Sequence, residues 1–401
     1  MKKALIWHIY GKIGLKEAAL YSFSTICIIS SLAGYAADST IFSDTIRILL
    51  KAVVYLLATV VILYVIKIKK KIKTTVLAIL IYWISIHIHT YTNQALGLIT
   101  LLLILVYFTF DLKELVTLFR FYKKWVLVMS VFGIVAYTAY VLHIPLPHQI
   151  VPYYATHNNI YNLNYVNYYI GYLYENSGFV RLCGFFNEPG YFGTVLAFII
   201  CAEDINLRKR KNQILFLSGI LTFSVAFIVI QIAYLVIRHI KDIRLIAGAI
   251  LFIIITVFII PNIHFENTTL ELQRLKLELL LSGSTLRTTQ LFDVTFEHWL
   301  ISRHRLFGYG AGYTDFILLD DIAGSSSIKR VLIDHGIVGF ILIYVPLFWF
   351  SIRACNGNKL SIAYTICYFL SLYQRPNWYS VLFILLLFSG IGYIREKIGS
   401  L

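Results

Sequence analysis

The sequence predicts an all-α integral membrane protein that forms a single domain over residues 1–401. Of its residues, 59% are hydrophobic and only 14% are charged, whereas a typical soluble domain is about 25% charged. Apolar runs of roughly 17 to 25 residues, the length that crosses a bilayer, recur along the whole chain. Lysine and arginine gather between these runs. Together these observations predict a polytopic protein with about 12 transmembrane or re-entrant helical segments.

The predicted membrane segments follow from the apolar runs in chain order. No small-residue cleavage site follows the first run, and further runs come after it, so no cleavable signal peptide is expected. The runs lie near 17–34, 46–66, 74–90, 94–110, 123–143, 188–204, 245–261, 331–351, 360–374 and 379–394.

The formal net charge of +15 is explained by membrane orientation. With the N terminus inside, 24 of the 35 Lys and Arg residues fall on the cytoplasmic side, as the positive-inside rule requires. These clusters are short and lie against membrane ends, so no nucleic-acid partner is expected. The segments are 1–16, 67–73, 111–124, 208–211, 238–244, 352–359 and 395–401.

The apolar stretch 212–237 lies between two basic clusters that both belong on the cytoplasmic side. A single crossing would place one of the clusters outside. We therefore predict two short segments, or a re-entrant pair, that bend near Thr222 to Ser224 and leave both chain termini in the cytoplasm. Because irregular backbone at that depth needs cover from protein or water, the bend is expected to face an interior cavity.

Two long loops, approximately 144–187 and 262–330, are then external. The first is rich in tyrosine and asparagine, and Tyr168 and Tyr172 are candidates for stacking on sugar rings. An aromatic belt at the membrane interface is the alternative. The second loop is too long to be structureless, and amphipathic helices are expected in it.

External arginines run against the usual charge bias, so they indicate an anionic partner. Arg287 and Arg303 lie in the second loop, and the planar guanidinium suits bidentate phosphate recognition. Contact with lipid headgroups is the alternative. Lys51 lies one helical turn from Arg47 near the predicted outer end of the second run, where it either reaches the interface or faces a polar cavity beneath the loops.

The segment RLCGFFNEPGYFG, Arg181 to Gly193, places an arginine and the carboxylate of Glu188 where the first loop enters an apolar helix. Charges in such a place suggest a functional site. A structural ion pair that orients the loop is the other interpretation.

These residues carry a family resemblance. The segment resembles the R-x-x-G-F-x-x-E-P signature of bacterial O-antigen and capsule polymerases, the Wzy family. SGSTLR at 282–287, LFGYGAGY at 306–313 and GIVGF at 336–340 resemble, in order, the second half of that family and of the related O-antigen ligases. The resemblance covers roughly 181–345 and implies a GT-C-like glycosyltransferase architecture at the inner membrane, with the active site on the periplasmic side.

The resemblance implies transfer of an oligosaccharide from undecaprenyl diphosphate to a hydroxyl of another lipid-linked repeat unit. Its partners would be undecaprenyl-diphosphate-linked oligosaccharide, membrane lipids and a protein that regulates chain length. Arg181 and Arg287 are the expected cations for the leaving diphosphate, with Lys51 as a third. Glu188 is the first candidate for the general base and His335 the second. No metal spacing and no cofactor motif occurs in the sequence, so neither is expected.

Two other functions remain open. An O-antigen ligase would usually carry a histidine with a polar neighbour upstream of the GIVGF-like segment, where this chain has Ser325, Ser326 and Ser327. His335 stands directly before Gly336 instead, which favours a polymerase. A flippase or another transporter would usually show repeated halves, and the sequence has no such symmetry.

Overall fold

The computed structural model describes residues 14–31, 44–65, 109–152, 163–169, 171–176, 179–186, 188–241, 290–317, 328–375 and 380–399, with a few positions between 244 and 275. The strands are β1 (Gln149–Pro152), β2 (Leu163–Asn167), β3 (Tyr172–Asn176) and β4 (Phe179–Gly184). The helices are α1 (Leu15–Ser31), α2 (Asp44–Tyr64), α3 (Leu112–Val141), α4 (Pro189–Ala202), α5 (Arg210–Leu221), α6 (Val225–Arg238), α7 (Gln290–Ile301), α8 (Tyr313–Ile317), α9 (Ile328–Cys355), α10 (Lys359–Gln374) and α11 (Val381–Gly399).

The described chain is mostly helical, as predicted. Two of its helices, α3 and α9, are long and apolar enough to cross a membrane. The predicted run at 74–90, and most of the runs 94–110 and 245–261, lie outside the described residues. The total of about 12 segments therefore stays a prediction.

Helix α3 begins well before the apolar run that predicted it. The run begins near residue 123, whereas the helix begins at Leu112. The carboxylate of Glu114 accepts a hydrogen bond from the backbone N–H of Asp111 at 2.7 Å. Such a contact satisfies a donor at the first turn of a helix, so α3 can extend through residues too polar to register as a membrane run.

The predicted break in the stretch 212–237 is confirmed. Helix α5 ends at Leu221 and α6 begins at Val225. Phe223 has a positive φ of 46°, a conformation that no helical residue adopts. Ser224 caps α6, because its hydroxyl accepts a hydrogen bond from the N–H of Phe227.

The first loop forms an antiparallel sheet with strand order β1-β2-β3-β4, which corrects the all-α prediction. Strand β2 contains Tyr165 and Val166, and aromatic and β-branched residues favour strands. Val166, Leu173 and Leu182 pair across the strands and are fully buried. This face packs on α3, where a Cβ on Gly133 would lie 2.8 Å from Leu182.

Helix α4 lies at the centre of the helical core. It is apolar on all sides, and every residue from Phe192 to Ala202 is buried. A helix that is hydrophobic all round needs neighbours on every side, and α5, α6, α10 and α11 supply them, together with β4. Glu188 and Glu203 flank the 14 residues of α4, so their backbone positions lie about 22 Å apart along its axis.

The carboxylate of Glu203 follows α4 and is 1% exposed. It contacts the ammonium of Lys123, and Lys209 Nζ and Lys397 Nζ lie 3.0 and 3.7 Å from its Oε2. The hydroxyl of Tyr393 donates a hydrogen bond of 2.5 Å to its Oε1. All three lysines belong to clusters that the sequence assigned to the cytoplasmic side.

Candidate active site

Strand β4 aims Arg181 at the turn between α5 and α6. Arg181 Nε donates to the carbonyl of Thr222 at 2.9 Å, and Nη2 donates to the carbonyl of Phe223 at 3.2 Å. Burial lowers the pKa of the Arg181 guanidinium, although an arginine stays charged in proteins. The guanidinium thus donates to two backbone carbonyls just beyond the C-terminal end of α5, where carbonyls have no partner within the helix.

The same turn packs against α4 at Gly193, within the segment that contains Arg181. A Cβ on Gly193 would lie 2.5 Å from Ser224 Cβ and 2.8 Å from Thr222 Oγ1. The turn therefore approaches the helix as closely as a glycine permits. The predicted interior cavity at this bend is replaced by contact with Arg181 and α4.

Glu188 is the residue immediately before α4, and its partner is an arginine from a distant part of the chain. Arg375 Nη2 lies 2.5 Å from Glu188 Oε2. The Glu188 side chain is 46% exposed, whereas the Arg375 side chain is 11% exposed. The structural interpretation that paired Glu188 with Arg181 is therefore wrong, because the hydrogen bonds of Arg181 go to the turn.

Arg375 follows α10 and is held by aromatic packing. Its guanidinium carbon lies 5.9 Å from the centre of the Tyr191 ring, a distance at which cation and ring attract. The hydroxyl of Tyr191 lies 3.4 Å from Ser380 Oγ at the start of α11. Helices α4, α10 and α11 thus meet around the Glu188–Arg375 pair.

The segments 306–313 and 336–340, which carry the second half of the family resemblance, pack on each other. Tyr309 N–H donates to the carbonyl of Ile333 and Gly310 N–H to that of Asp334, both at 2.9 Å, and Val338 N–H donates to Leu306 at 3.0 Å. Gly336 interrupts α9 with φ 69° and ψ −177°. A Cβ on Gly336 would overlap the Leu306 carbonyl, so the contact requires glycine.

His335 lies at this interruption of α9 and is partly buried. Its neighbour Asp334 accepts hydrogen bonds from the backbone N–H of Thr314 at 2.9 Å and from the Thr314 hydroxyl at 3.0 Å. Arg330 Nε lies 3.8 Å from the same carboxylate. Asp334 therefore links α8 to α9 through hydrogen bonds and fixes the backbone next to His335.

The remaining predicted site residues have no described contact with the Glu188–Arg375 pair. Arg303 is exposed in a short 3-10 turn, Arg303–Arg305. Tyr168 and Tyr172 are each 6% exposed, and burial raises the pKa of both phenols. Arg287 and the side chain of Lys51 lie outside the described residues. The roles of these residues in binding stay predictions.

Arg375 is the residue that sequence reasoning missed. It lies between the predicted runs 360–374 and 379–394, where the topology places a short external loop. The predicted external cations lie in the two long loops and near the outer end of the second run. Applied to the short loop as well, the same rule about external arginines would have found it.

No metal site is evident among the described residues, where no three His, Cys, Asp or Glu side chains come together. No family model, curated protein or solved structure matches this chain. Fold and geometry define a mostly helical protein with two helices able to span a membrane and a carboxylate–arginine pair where three helices meet.

Proposed function

We propose that this chain is a polymerase of lipid-linked oligosaccharides that acts at the outer face of the bacterial inner membrane. The Glu188–Arg375 pair is the observation that carries the proposal. It supplies a partly exposed carboxylate beside a largely buried arginine, at the helix that bears the polymerase-like signature. A sugar transfer from a diphosphate carrier needs both groups, one to accept a proton and the other to bind an anion.

In the proposed reaction, Glu188 accepts the proton of the acceptor hydroxyl as its oxygen bonds to the anomeric carbon of the donor. The bond between that carbon and the diphosphate oxygen breaks, and the lipid diphosphate leaves with the electron pair. Arg375 stabilises the departing charge, and Arg287 remains a second candidate for this role. His335 remains the alternative base.

Arg181 takes a positioning role in this proposal. Both of its described hydrogen bonds go to the Thr222 and Phe223 carbonyls, and binding a diphosphate would require it to leave them. It therefore supports the wall of the site by holding the turn against α4.

The proposal includes about 12 membrane segments, with both termini in the cytoplasm and the Glu188 end outside. Reporter fusions after Leu173 and Ile317 are expected to read as external, and fusions at Arg210 and Lys241 as cytoplasmic. Opposite sides for the last two would mean that 212–237 crosses the membrane once.

Complementation of a deletion strain tests the function. The intact gene is expected to restore a ladder of long surface glycan, whereas Glu188→Gln and Arg375→Gln yield a single repeat unit at normal membrane abundance. Asp293→Asn is the matched control, since Asp293 is also a partly exposed carboxylate in an ion pair, 3.1 Å from Lys329. Complete loss of surface glycan in the deletion strain would indicate a ligase or flippase instead.

A further inference from the structure

Only one of the two hydrogen-bonding nitrogens on the edge of the Arg375 guanidinium that faces Glu188 makes a contact in the described part of the chain. Nε and Nη2 point from the same edge of the guanidinium plane, so they can bind one anion together. In the structure Nη2 contacts Glu188, whereas Nε is buried without a hydrogen-bond partner among the described residues. A buried donor without an acceptor is rare and calls for an explanation such as a missing anion or water.

The position of Arg375 does not depend on Glu188 alone. Its backbone N–H donates to the Ser371 carbonyl at 3.1 Å, and its guanidinium lies over the Tyr191 ring. Tyr191 itself packs edge-on against Phe383, with ring centres 5.0 Å apart. The guanidinium is therefore expected to keep its place when Glu188 moves.

Glu188 is more exposed than Arg375. It occupies the N-cap position of α4, but its side chain makes no capping hydrogen bond to that helix. Its carboxylate is turned to Arg375 and is 46% exposed. A ligand that approaches from solvent meets this carboxylate before it meets the largely buried guanidinium.

We infer that Glu188 occupies Arg375 in place of a diphosphate, so that a lipid-linked diphosphate binding to Arg375 displaces the Glu188 carboxylate and makes it available as a base. The inference rests on the proposed function, because it assigns the donor's diphosphate to this site. A diphosphate carries more charge than a carboxylate and more acceptor oxygens, so it can use Nε and Nη2 together. The N-terminal end of α4 adds a favourable field for the same anion.

This arrangement would couple donor binding to activation of the acceptor. While Arg375 holds Glu188, the positive charge stabilises the carboxylate and makes it a weaker base. When a diphosphate takes the guanidinium, that stabilisation is lost and a second negative group lies nearby, which makes Glu188 more basic. The base would then gain strength only when a donor is in place.

Binding of undecaprenyl diphosphate to the purified full-length protein in detergent tests the inference without turnover. Glu188→Gln is expected to tighten binding by about tenfold, because it removes the competing carboxylate, and tenfold corresponds to about 1.4 kcal/mol. Arg375→Gln is expected to weaken binding by at least about tenfold, with partial recovery in Arg375→Lys. Unchanged or weaker binding in Glu188→Gln would overturn the inference.

Asp293→Asn controls for the general loss of one negative charge. It neutralises a carboxylate of similar exposure, 43% against 46%, and is expected to leave the affinity unchanged. Tightening equal to that of Glu188→Gln would overturn the inference. Inorganic pyrophosphate and phosphatidylglycerol separate the sources of phosphate, since only a diphosphate should show the tenfold effect. The same effect with phosphatidylglycerol would assign the site to headgroups and overturn the donor assignment.

A second measurement needs no variant. Carbodiimide labelling of Glu188 in the intact protein, followed by peptide mass spectrometry, is expected to rise severalfold when undecaprenyl diphosphate is added. Constant or lower labelling would contradict displacement.

The two proposals fail differently. Tighter binding together with normal polymer in Glu188→Gln would remove the proposed base and keep the displacement. Loss of polymer in Glu188→Gln without tighter binding would keep the proposed base and remove the displacement.

Discussion

The carboxylates at the two ends of α4 have opposite surroundings. Glu203 is 1% exposed and has three lysines and a tyrosine around it. Glu188 has a side chain that is 46% exposed, with a partner arginine that keeps one buried donor unused. A carboxylate surrounded by cations stabilises a structure, whereas one that shares an incompletely used arginine can exchange partners. The comparison leads us to expect that Glu203 maintains the fold, and it is consistent with the role proposed for Glu188.

The largest expected effect is on stability at the Glu203 end. Glu203→Ala leaves the cations around it without their shared partner, and removing one member of a buried ion pair costs about 3 to 5 kcal/mol. We expect loss of the protein from the membrane fraction, measured by immunoblot. Glu188→Ala should retain near-normal abundance, and equal losses in the two variants would break the comparison.

Low pH is expected to destabilise the protein through protonation of Glu203. Burial raises the pKa of Glu203, but hydrogen bonds from Lys123 and Tyr393 outweigh burial and lower it to about 2. The unfolded carboxyl titrates near 4.3, so the stabilisation is complete above that pH and is lost as the pH falls toward 2. We expect thermal unfolding midpoints to drop over this window, and Glu203→Gln to flatten that part of the curve. If the unfolding midpoint of Glu203→Gln drops as much as that of the unchanged protein, other groups cause the acid sensitivity.

Two glycines, Gly336 inside α9 and Gly357 after it, provide a second comparison. Gly336 and Gly357 both have positive φ, 69° and 73°, but a Cβ meets the Leu306 carbonyl at Gly336 and open space at Gly357. Alanine in the left-handed helical region costs about 1 to 2 kcal/mol, whereas Gly336, with ψ −177°, lies in a region that is essentially limited to glycine. Gly357→Ala should cost only that amount, whereas Gly336→Ala should cost more and lower the unfolding midpoint further. Equal midpoints would mean that the segment 306–313 moves away from an added Cβ in α9 at little cost in stability.

The smallest expected effect is at Arg181. Arg181→Lys retains the charge but not the fork that reaches both Thr222 and Phe223, so about one hydrogen bond is lost, worth about 1 kcal/mol. We expect little change in abundance and faster proteolysis at the turn between α5 and α6. Arg181→Lys with unchanged proteolysis and abolished binding of undecaprenyl diphosphate would return this arginine to the anion site.

Local patterns in the sequence were sufficient for the helical class, for the break at Thr222 to Ser224 and for the choice of Glu188 as a residue of interest. Hydrophobicity over one segment and charge between segments depend on neighbours in the chain, so they can be read without a fold. The sheet in the first loop was missed, although tyrosine and valine are residue types that favour strands, because the tyrosines were interpreted only as ligands or as an interface belt.

Only the tertiary structure decided the partners of the charged groups. Arg375 and Glu188 are 187 residues apart in the chain, and Arg181 and Thr222 are 41 apart. Such pairs form where packing brings helix ends together, and no local pattern favours one arginine over another as the partner of a given carboxylate. Burial also distinguishes the two carboxylates, because Glu203 is enclosed by cations and 1% exposed, whereas the Glu188 side chain beside Arg375 is 46% exposed.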